Sequence, residues 1–312
     1  MSTLNLFRVG LAAALLVGSS AQAQLFRAYL SVGGNDGNPC TLQAPCRLLP
    51  AALNAVASGG EVWMLDSANY NTATVNVAKS VSILAVPGVV GSLVATGGPA
   101  IDITAAGLKV ALRNLVIAPV ATMPAGTFGV RMTGASYLTI ENSLIAGLPD
   151  AGVSVEAAGT LKVANSTFRN NSGLAISLQK GATATVSATR MLANSGGGVG
   201  AYGYTGSTTT TASVSDSVIS GGFAGVLAFT NNSSAVARIA VTNSMIERTL
   251  YALKSQTSGL GTAEVNVGSS LIVENEYAWD QSGGGSTLLS LGDNQMSGNA
   301  GTIGSKTSLT PQ

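Results

Sequence analysis

Three charged residues, Asp102, Arg131 and Glu156, stand about one repeat unit apart in a chain of which only 9% is charged. Two carboxylates could serve as general acid and base on a glycosidic bond, and an arginine between them could face a sugar acid. On successive strands the two acidic Cα atoms would lie about 12 Å apart. Inverting glycosidases hold their carboxyl groups about 6.5–9.5 Å apart, so these side chains would need to lean together. The competing interpretation is a row of surface ion pairs.

A second set of residues at the same spacing suits sugar binding. Tyr202 and Phe229 offer aromatic faces for the C–H side of a sugar ring, and the amides of Gln179 and Gln256 can bond its hydroxyl groups. Lys254, in the column of Arg131, completes the set. The alternative is that the two rings only cover apolar surface.

Several kinds of site are excluded by what the sequence lacks. It contains no histidine, so a Ser-His-Asp triad and histidine-based metal sites are excluded. We predict no cofactor. The one metal hypothesis is Ca²⁺ at an acidic patch of Glu247, Glu274 and Glu276, which would need further oxygen ligands because Ca²⁺ prefers six or more. With 15 Lys and Arg against 14 Asp and Glu, no concentrated basic face is available for nucleic acid or anionic lipid.

The elements that must position these side chains come from a repeat. Leu138–Ile145 reads L-T-I-E-N-S-L-I, and imperfect copies recur through the chain. Three apolar columns follow from aligning the copies on Leu138, Ile140 and Ile145. The first contains Val110, Leu138, Leu161, Ala184, Ala212, Ile239, Val265 and Leu289; the second contains Leu112, Ile140, Val163, Val186, Val214, Val241, Val267 and Leu291; the third contains Ile117, Ile145, Phe168, Met191, Ile219, Ile246, Ile272 and Met296.

A polar pair lies between the second and third columns, as in Asn142-Ser143 and Asn165-Ser166. An alternating apolar run, a polar corner and another apolar residue indicate a strand, a bend and a second strand. Asn suits such a corner because it tolerates left-handed backbone. A third short strand follows further on, for example Gly152–Val155. We expect the polar pairs to stack into a buried ladder, each side chain satisfied by the turns above and below.

Units of this size cannot fold alone. One unit buries about six apolar side chains, which contribute roughly 1.5–3 kcal/mol each. Ordering its backbone costs roughly 1–2 kcal/mol for each of about 23 residues. Parallel stacking supplies the missing hydrogen bonds and burial. The sequence therefore predicts an all-β solenoid whose equivalent residues lie about 4.8 Å apart along its axis.

The repeats I-E-N-S-L-I, V-A-N-S-T-F and V-T-N-S-M-I resemble the rungs and asparagine ladder of right-handed parallel β-helix proteins of the pectin-lyase-like superfamily. The stretch G-N-D-G-N-P-C-T-L-Q-A-P-C-R-L-L-P-A-A-L is similar to the segment that opens many secreted members. The resemblance, over about residues 25–305, implies three sheets and substrate binding outside the first strand of each turn. It implies no single function, because the superfamily includes lyases, hydrolases, epimerases and adhesins. The G-H-G and R-I-K motifs of polygalacturonase-type members are absent.

The N-terminal region predicts export. Arg8 followed by the apolar run Val9–Val17 is typical of a secretory signal, with cleavage after Ala23. The apolar run is too short to span a bilayer. In an exported chain, Cys40 and Cys46 predict a small disulfide loop.

A helix is predicted over Arg47–Ala57, where Leu49 and Leu53 begin an apolar stripe and Gly59-Gly60 would end it. We expect it to cap the open end of the solenoid. Two longer turns, Ala118–Thr127 and Tyr204–Thr211, are either tolerated insertions or carriers of function.

The predicted organisation is a signal peptide at 1–23, an N-terminal strand with cysteine loop and capping helix at 24–60, a right-handed parallel β-helix at 61–305 and a polar tail at 306–312. We predict a secreted, periplasmic or cell-surface protein without a transmembrane segment or a nucleic-acid partner. Its predicted function is non-catalytic binding of an extracellular polysaccharide along the first-strand face. The alternatives are a polysaccharide lyase or glycoside hydrolase that uses Asp102, Arg131 and Glu156, and a structural or adhesion module.

Overall fold

A computed structural model describes residues 24–120 and 126–309. The predicted signal peptide and the last three residues of the predicted tail lie outside the described residues. The described chain is almost entirely β-strand and winds into a right-handed three-sheet solenoid, as predicted. All strand pairs are parallel, and each complete turn contributes one strand to each sheet.

The strands are numbered β1–β32 in chain order. Sheet 1 contains, in spatial order, β1 (Leu25–Leu30), β2 (Val56–Met64), β5 (Val81–Ala85), β8 (Lys109–Arg113), β11 (Tyr137–Glu141), β14 (Thr160–Ala164), β17 (Thr183–Ser187), β20 (Thr209–Ser215), β23 (Val236–Thr242), β26 (Thr262–Gly268), β29 (Ser286–Ser290) and β32 (Thr307–Ser308). Sheet 2 contains β3 (Ala68–Asn69), β6 (Gly91–Ala95), β9 (Leu115–Pro119), β12 (Leu144–Ala146), β15 (Thr167–Arg169), β18 (Arg190–Leu192), β21 (Val218–Ser220), β24 (Met245–Glu247), β27 (Leu271–Val273) and β30 (Gln295–Ser297).

Sheet 3 forms the face predicted to bind substrate. It contains β4 (Val75–Asn76), β7 (Ile101–Ile103), β10 (Val130–Met132), β13 (Val153–Val155), β16 (Leu174–Leu178), β19 (Gly197–Gly203), β22 (Ala224–Thr230), β25 (Tyr251–Thr257), β28 (Tyr277–Ser282) and β31 (Gly301–Ile303).

The apolar columns lie in register inside the solenoid, with one exception. Ile140 pairs with Leu112 and Val163 on the adjacent turns, and all three are buried. The last turn is shifted by one residue. Val265 pairs with Leu288 rather than the predicted Leu289, and Ser290 rather than Leu291 follows Val267. Because alternate residues of a strand face opposite sides, Leu291 points outwards and is 38% exposed.

The predicted polar ladder exists, but its buried member is the second residue of each pair. Asn142 and Asn165 are exposed at left-handed corners, with φ of 51° and 50°. The amide of Ser143 instead donates to Oγ of Ser166 on the next turn, at 3.2 Å. Because the serine side chain is short, its Oγ atom can bond nearby backbone groups from inside the bend. The ladder consists of Ser143, Ser166, Thr189, Ser217, Ser244 and Ser270.

An asparagine ladder, which the sequence analysis missed, lies at the next corner, between sheets 2 and 3. Nδ2 of buried Asn171 donates to Oδ1 of Asn194 at 2.8 Å, and Nδ2 of Asn194 donates to the carbonyl of Phe168 at 3.1 Å. The ladder is interrupted at Gly222 and resumes with Asn275, whose Nδ2 donates to Oδ1 of Asn299 at 2.9 Å. At the bend, some buried backbone groups have no main-chain partner. The asparagine side chains form hydrogen bonds with these groups.

The predicted cap is shorter than expected. Helix α1 spans Leu49–Ala55, with Leu49, Ala52 and Leu53 buried against the first turns. At seven residues it is far too short to cross a bilayer, and the described residues contain no other helix. Gly59-Gly60 do not end it, because β2 already begins at Val56. The two glycines lie in a bulge of β2, where a Cβ on Gly60 would sit 2.4 Å from the carbonyl oxygen of Phe26.

The cysteine loop is tied to the first strand. Cys40 and Cys46 form the predicted disulfide, and both residues are buried. The amide of Tyr29 donates to the carbonyl of Cys40 at 2.9 Å, and that of Cys46 donates to the carbonyl of Tyr29 at 3.0 Å. The loop therefore extends sheet 1 by main-chain bonds as well as by its cross-link.

Candidate functional site

The outer face of sheet 3 carries the predicted site residues in the predicted register. Arg131 pairs with Asp102 on one side and Ser154 on the other. Lys254 continues the same column and pairs with Asp280. A second outer column lies two residues further along each strand. It contains Tyr202, Phe229 and Gln256 as direct partners on successive strands.

Asp102 and Arg131 form a two-point ion pair. Nη2 of Arg131 lies 2.7 Å from Oδ2 of Asp102, and its Nε lies 3.2 Å from Oδ1. The hydrogen bond to Asp102 raises the pKa of the Arg131 guanidinium, and the nearby charge of Glu156 adds to the effect. Glu156 itself accepts a hydrogen bond from Ser154 Oγ at 2.9 Å. The structure therefore joins Asp102 to Arg131 and leaves Glu156 bonded to its own strand.

Lys254 lies beneath the surface of the sheet. Its ammonium contacts the carboxylate of Asp280 and lies 4.1 Å from the ring centroid of Tyr251, and the residue is 6% exposed. A buried ammonium requires such partners, because desolvation disfavours its charge. In this arrangement the charge of Lys254 is neutralised within the protein.

A groove of about 380 Å³ runs along the solenoid axis on this face. On one side lie residues that precede sheet 3 strands on four successive turns, from Asp150 to Phe223. On the other side lie Gln179, Tyr202 and Tyr204. Three strand spacings give it a length of about 14 Å. The remaining lining residues are Ala151, Gly173, Leu174, Ser177, Gly196 and Leu227.

Two tyrosines, Tyr202 and Tyr204, line the groove, and Phe229, which is not a lining residue, packs against both. The rings of Tyr202 and Tyr204 are stacked, with centroids 5.1 Å apart and planes 17° apart. Phe229 meets both edge-on, at 6.3 and 5.9 Å. Burial raises the pKa of both phenols, so they are neutral hydrogen-bonding groups at physiological pH. Tyr202 fits because Gly200 has no side chain: a Cβ there would lie 2.8 Å from the Tyr202 ring.

A second aromatic strip continues the opposite wall. Phe223 meets Tyr251 edge-on at 5.3 Å, and Tyr251 stacks on Tyr277, also at 5.3 Å. Sequence reasoning missed this strip, in which Tyr251 and Tyr277 begin strands β25 and β28. It also missed Asp150 and Tyr204, because strand alternation does not place residues in turns. Tyr251 and Tyr277 do recur one repeat apart, and Tyr204 opens a longer turn, so both signals were present.

The remaining charges pair mostly with neighbours. Arg238 lies 3.7 Å from Glu264, its partner on the adjacent strand of sheet 1. Arg248 contacts its chain neighbour Glu247. Over residues 24–120 and 126–309, no three Asp, Glu or Cys side chains converge as metal ligands. Ca²⁺ binding at Glu247, Glu274 and Glu276 stays a prediction.

Comparison with known proteins identifies the fold and its solved neighbours. A family model described as "Right handed beta helix region" matches residues 128–301. No curated protein matches the chain. An alginate lyase from Paenibacillus sp. superimposes with a TM-score of 0.65 at 13% identity, covering 90% of this chain and 99% of the lyase. Pectate lyase Pel9A gives 0.58 at 15% identity, covering 92% and 80%. The complex of XylC with xylose gives 0.56 at 8% identity, covering 87% and 70%. At such identities the similarity is one of fold.

Proposed function

Because the chain belongs to the right-handed beta helix family, we propose that it is an exported, non-catalytic protein that binds a polysaccharide in the groove on sheet 3. The observation that carries the proposal is the pairing of aromatic walls across one groove. Tyr202 and Tyr204 line one side and Phe223 the other. A sugar ring has flat C–H faces that pack on aromatic rings and hydroxyl groups that need polar partners. Gln179 and Asp150 line the same groove and supply those partners.

The shape of the groove favours a chain over a single sugar. It opens to solvent and crosses four turns, so it offers space for several sugar units of a linear ligand. The strip of Tyr251 and Tyr277 continues beyond Phe223 and would lengthen the contact. Two of the solved neighbours are named for polysaccharides, alginate and pectate, and the third holds xylose; they support a carbohydrate ligand by shared fold alone.

Export is supported by two features. Disulfides such as Cys40–Cys46 persist in oxidising compartments. The predicted signal sequence agrees with this location. Non-catalytic binding is supported by the engagement of Arg131 with Asp102 and by the absence of histidine.

The rival function is a polysaccharide lyase or hydrolase. It is favoured by one observation: Asp102, Arg131 and Glu156 lie on three successive turns of the same outer face. Incubation with alginate, polygalacturonate and neutral polysaccharides, followed by assays for unsaturated products and new reducing ends, separates the two functions. We expect no product; turnover that is lost in Arg131→Ala would establish the rival.

The binding proposal is tested by applying the protein to a glycan array. Calorimetry then measures its affinity for the glycans that it binds on the array. Tyr204→Ala removes the exposed ring of the stacked pair and is expected to weaken binding at least tenfold, about 1.4 kcal/mol. Tyr137→Ala is the matched control, because Tyr137 is 57% exposed on sheet 1, away from the groove. The proposal would be refuted if the protein bound no glycan on the array, or if both variants lost the same amount of binding affinity.

A further inference from the structure

The charges around the groove bear on which polysaccharide it accepts. We infer that the groove binds neutral glycan chains and excludes polyuronates, an inference that rests on the proposed function. The whole chain has a net charge of +1, yet its sheet 3 face is acidic. Four carboxylates (Asp102, Asp150, Glu156, Asp280) and two cations (Arg131, Lys254) lie on this face or line its groove, and the exposed Lys180 lies beside Gln179, so 3 − 4 gives −1.

Neither cation of the face is available to a ligand carboxylate. Arg131 is held at two points by Asp102, which is only 7% exposed. Lys254 is buried between Asp280 and the ring of Tyr251. To bind an acidic sugar, either cation would have to abandon a carboxylate that would then remain buried without its partner. Lys180, exposed in the turn after Gln179, is not among the lining residues.

One carboxylate, that of Asp150, lines the groove itself, and that of Glu156 lies one turn before the groove residue Gln179. Asp150 is exposed, lines the groove and makes no ion pair within the described part of the chain. Glu156 precedes Gln179 by one turn in the outer column and keeps its charge on the same side as the groove. A polyuronate carries one negative charge per sugar, so it would meet both residues unfavourably. Hydroxyl groups of a neutral sugar can instead donate to these carboxylates and to the oxygen of Gln179.

The test compares polymers that differ only in charge. Polygalacturonate and polymannuronate are each assayed beside their carboxyl-reduced derivatives, which keep the linkage and lose the charge. Xylan and a β-glucan extend the neutral panel. Affinity electrophoresis at low ionic strength is expected to show retardation by neutral polymers and at least tenfold weaker retardation by each polyuronate than by its reduced form. Added salt should narrow that difference, because it screens the repulsion.

Two charge-matched variants separate the local effect from the general one. Asp150→Lys and Asp216→Lys each change the net charge by +2, but Asp216 is an exposed residue at the corner between sheets 1 and 2, away from the groove. Asp150→Lys is expected to raise the polyuronate-to-reduced affinity ratio at least tenfold, and Asp216→Lys to leave it within twofold. Polyuronate binding that equals or exceeds that of the reduced polymer, or equal effects of the two variants, would overturn the inference and leave the proposed function intact. Failure to bind any polymer or arrayed glycan would instead remove the proposed function and the inference with it.

Discussion

The exposed ring of Tyr204 stacks on Tyr202, and the ring of Tyr202 lies across Gly200 of its own strand. The wall of the groove therefore depends on a residue that has no side chain. Gly200 belongs to the regular part of β19, where an ordinary residue would fit the backbone. The space above Gly200, rather than its backbone conformation, is what the wall requires.

Adding one methyl group at position 200 should displace the Tyr202 ring, which forms part of the groove wall. In Gly200→Ala the new Cβ would lie 2.8 Å from the Tyr202 ring and 2.5 Å from Cδ1 of Leu174. We expect a loss of stability of about 1–3 kcal/mol from overpacking, together with at least tenfold weaker glycan binding. Denaturant unfolding and calorimetry measure the two effects. Gly284→Ala, where a Cβ meets nothing within 4 Å, should change neither. Unaltered binding by a folded Gly200→Ala variant would show that the ring position is unimportant.

The buried pair of Lys254 and Asp280 predicts an asymmetry between single and double variants. Lys254→Met leaves the Asp280 carboxylate buried without its cation, at a cost of about 3–5 kcal/mol. Lys254→Met combined with Asp280→Leu replaces both charges by apolar groups and should recover most of that loss. A double-variant cycle by urea unfolding provides the comparison. Purely additive losses would mean that the two groups do not interact.

Acid should loosen the N-terminal end through Asp66. Burial opposes its charge, but hydrogen bonds from Tyr70, Ser31 and the amide of Val32 outweigh this and hold its pKa below the ordinary value. A lowered folded pKa contributes stability that is present above about pH 4 and is lost as the pH falls through the folded value. Asp66→Asn should lower stability by about 1–3 kcal/mol at neutral pH, because buried Tyr70 loses its charged acceptor.

The measurement for Asp66 is the difference in unfolding free energy between wild type and Asp66→Asn from pH 7 to pH 3. That difference should shrink below about pH 4. Subtracting the variant removes the contribution of the other carboxylates. A difference that stays constant with pH would show that Asp66 is not the titrating group.

The asparagine ladder should matter more than the asparagine corners. Asn194→Ala removes the acceptor of Asn171 and the donor to the Phe168 carbonyl, so it should cost at least about 1–3 kcal/mol. Asn165 occupies an exposed left-handed corner that glycine adopts without strain. Asn165→Gly should therefore change stability by less than about 0.5 kcal/mol. Thermal and urea unfolding check the pair, and equal losses would contradict this assignment.

The repeat pattern predicted on which side of a strand each residue lies. It did not predict the conformation of several turns and irregular strand segments. Alternation placed Ile140, Val163 and Arg131 on the correct sides, because one register is propagated from turn to turn. It failed at Leu291, where the last turn shifts by one residue and the copy is too imperfect to reveal it. It predicted a helix stop at Gly59-Gly60, whereas the chain uses the two glycines inside a strand.

The candidate site was predictable in part for the same reason. Tyr202, Phe229 and Gln179 belong to strands or their immediate ends, and their outward direction follows from the strand phase. Asp150 and Phe223 precede strands, and their positions depend on turn conformations that the pattern does not specify. The engagement of Lys254 by Asp280 could have been expected from their adjacency in one column. Its burial depends on the neighbouring ring of Tyr251, which the column does not contain.

Each turn adds a single slice to the groove, and the slices are joined by an unchanging parallel register. Duplicating one unit of the gene would thus insert about 4.8 Å of new surface without disturbing the slices on either side. Duplication or deletion of whole units would therefore lengthen or shorten the binding surface during evolution. Later point substitutions would change the side chains that each unit presents to a ligand.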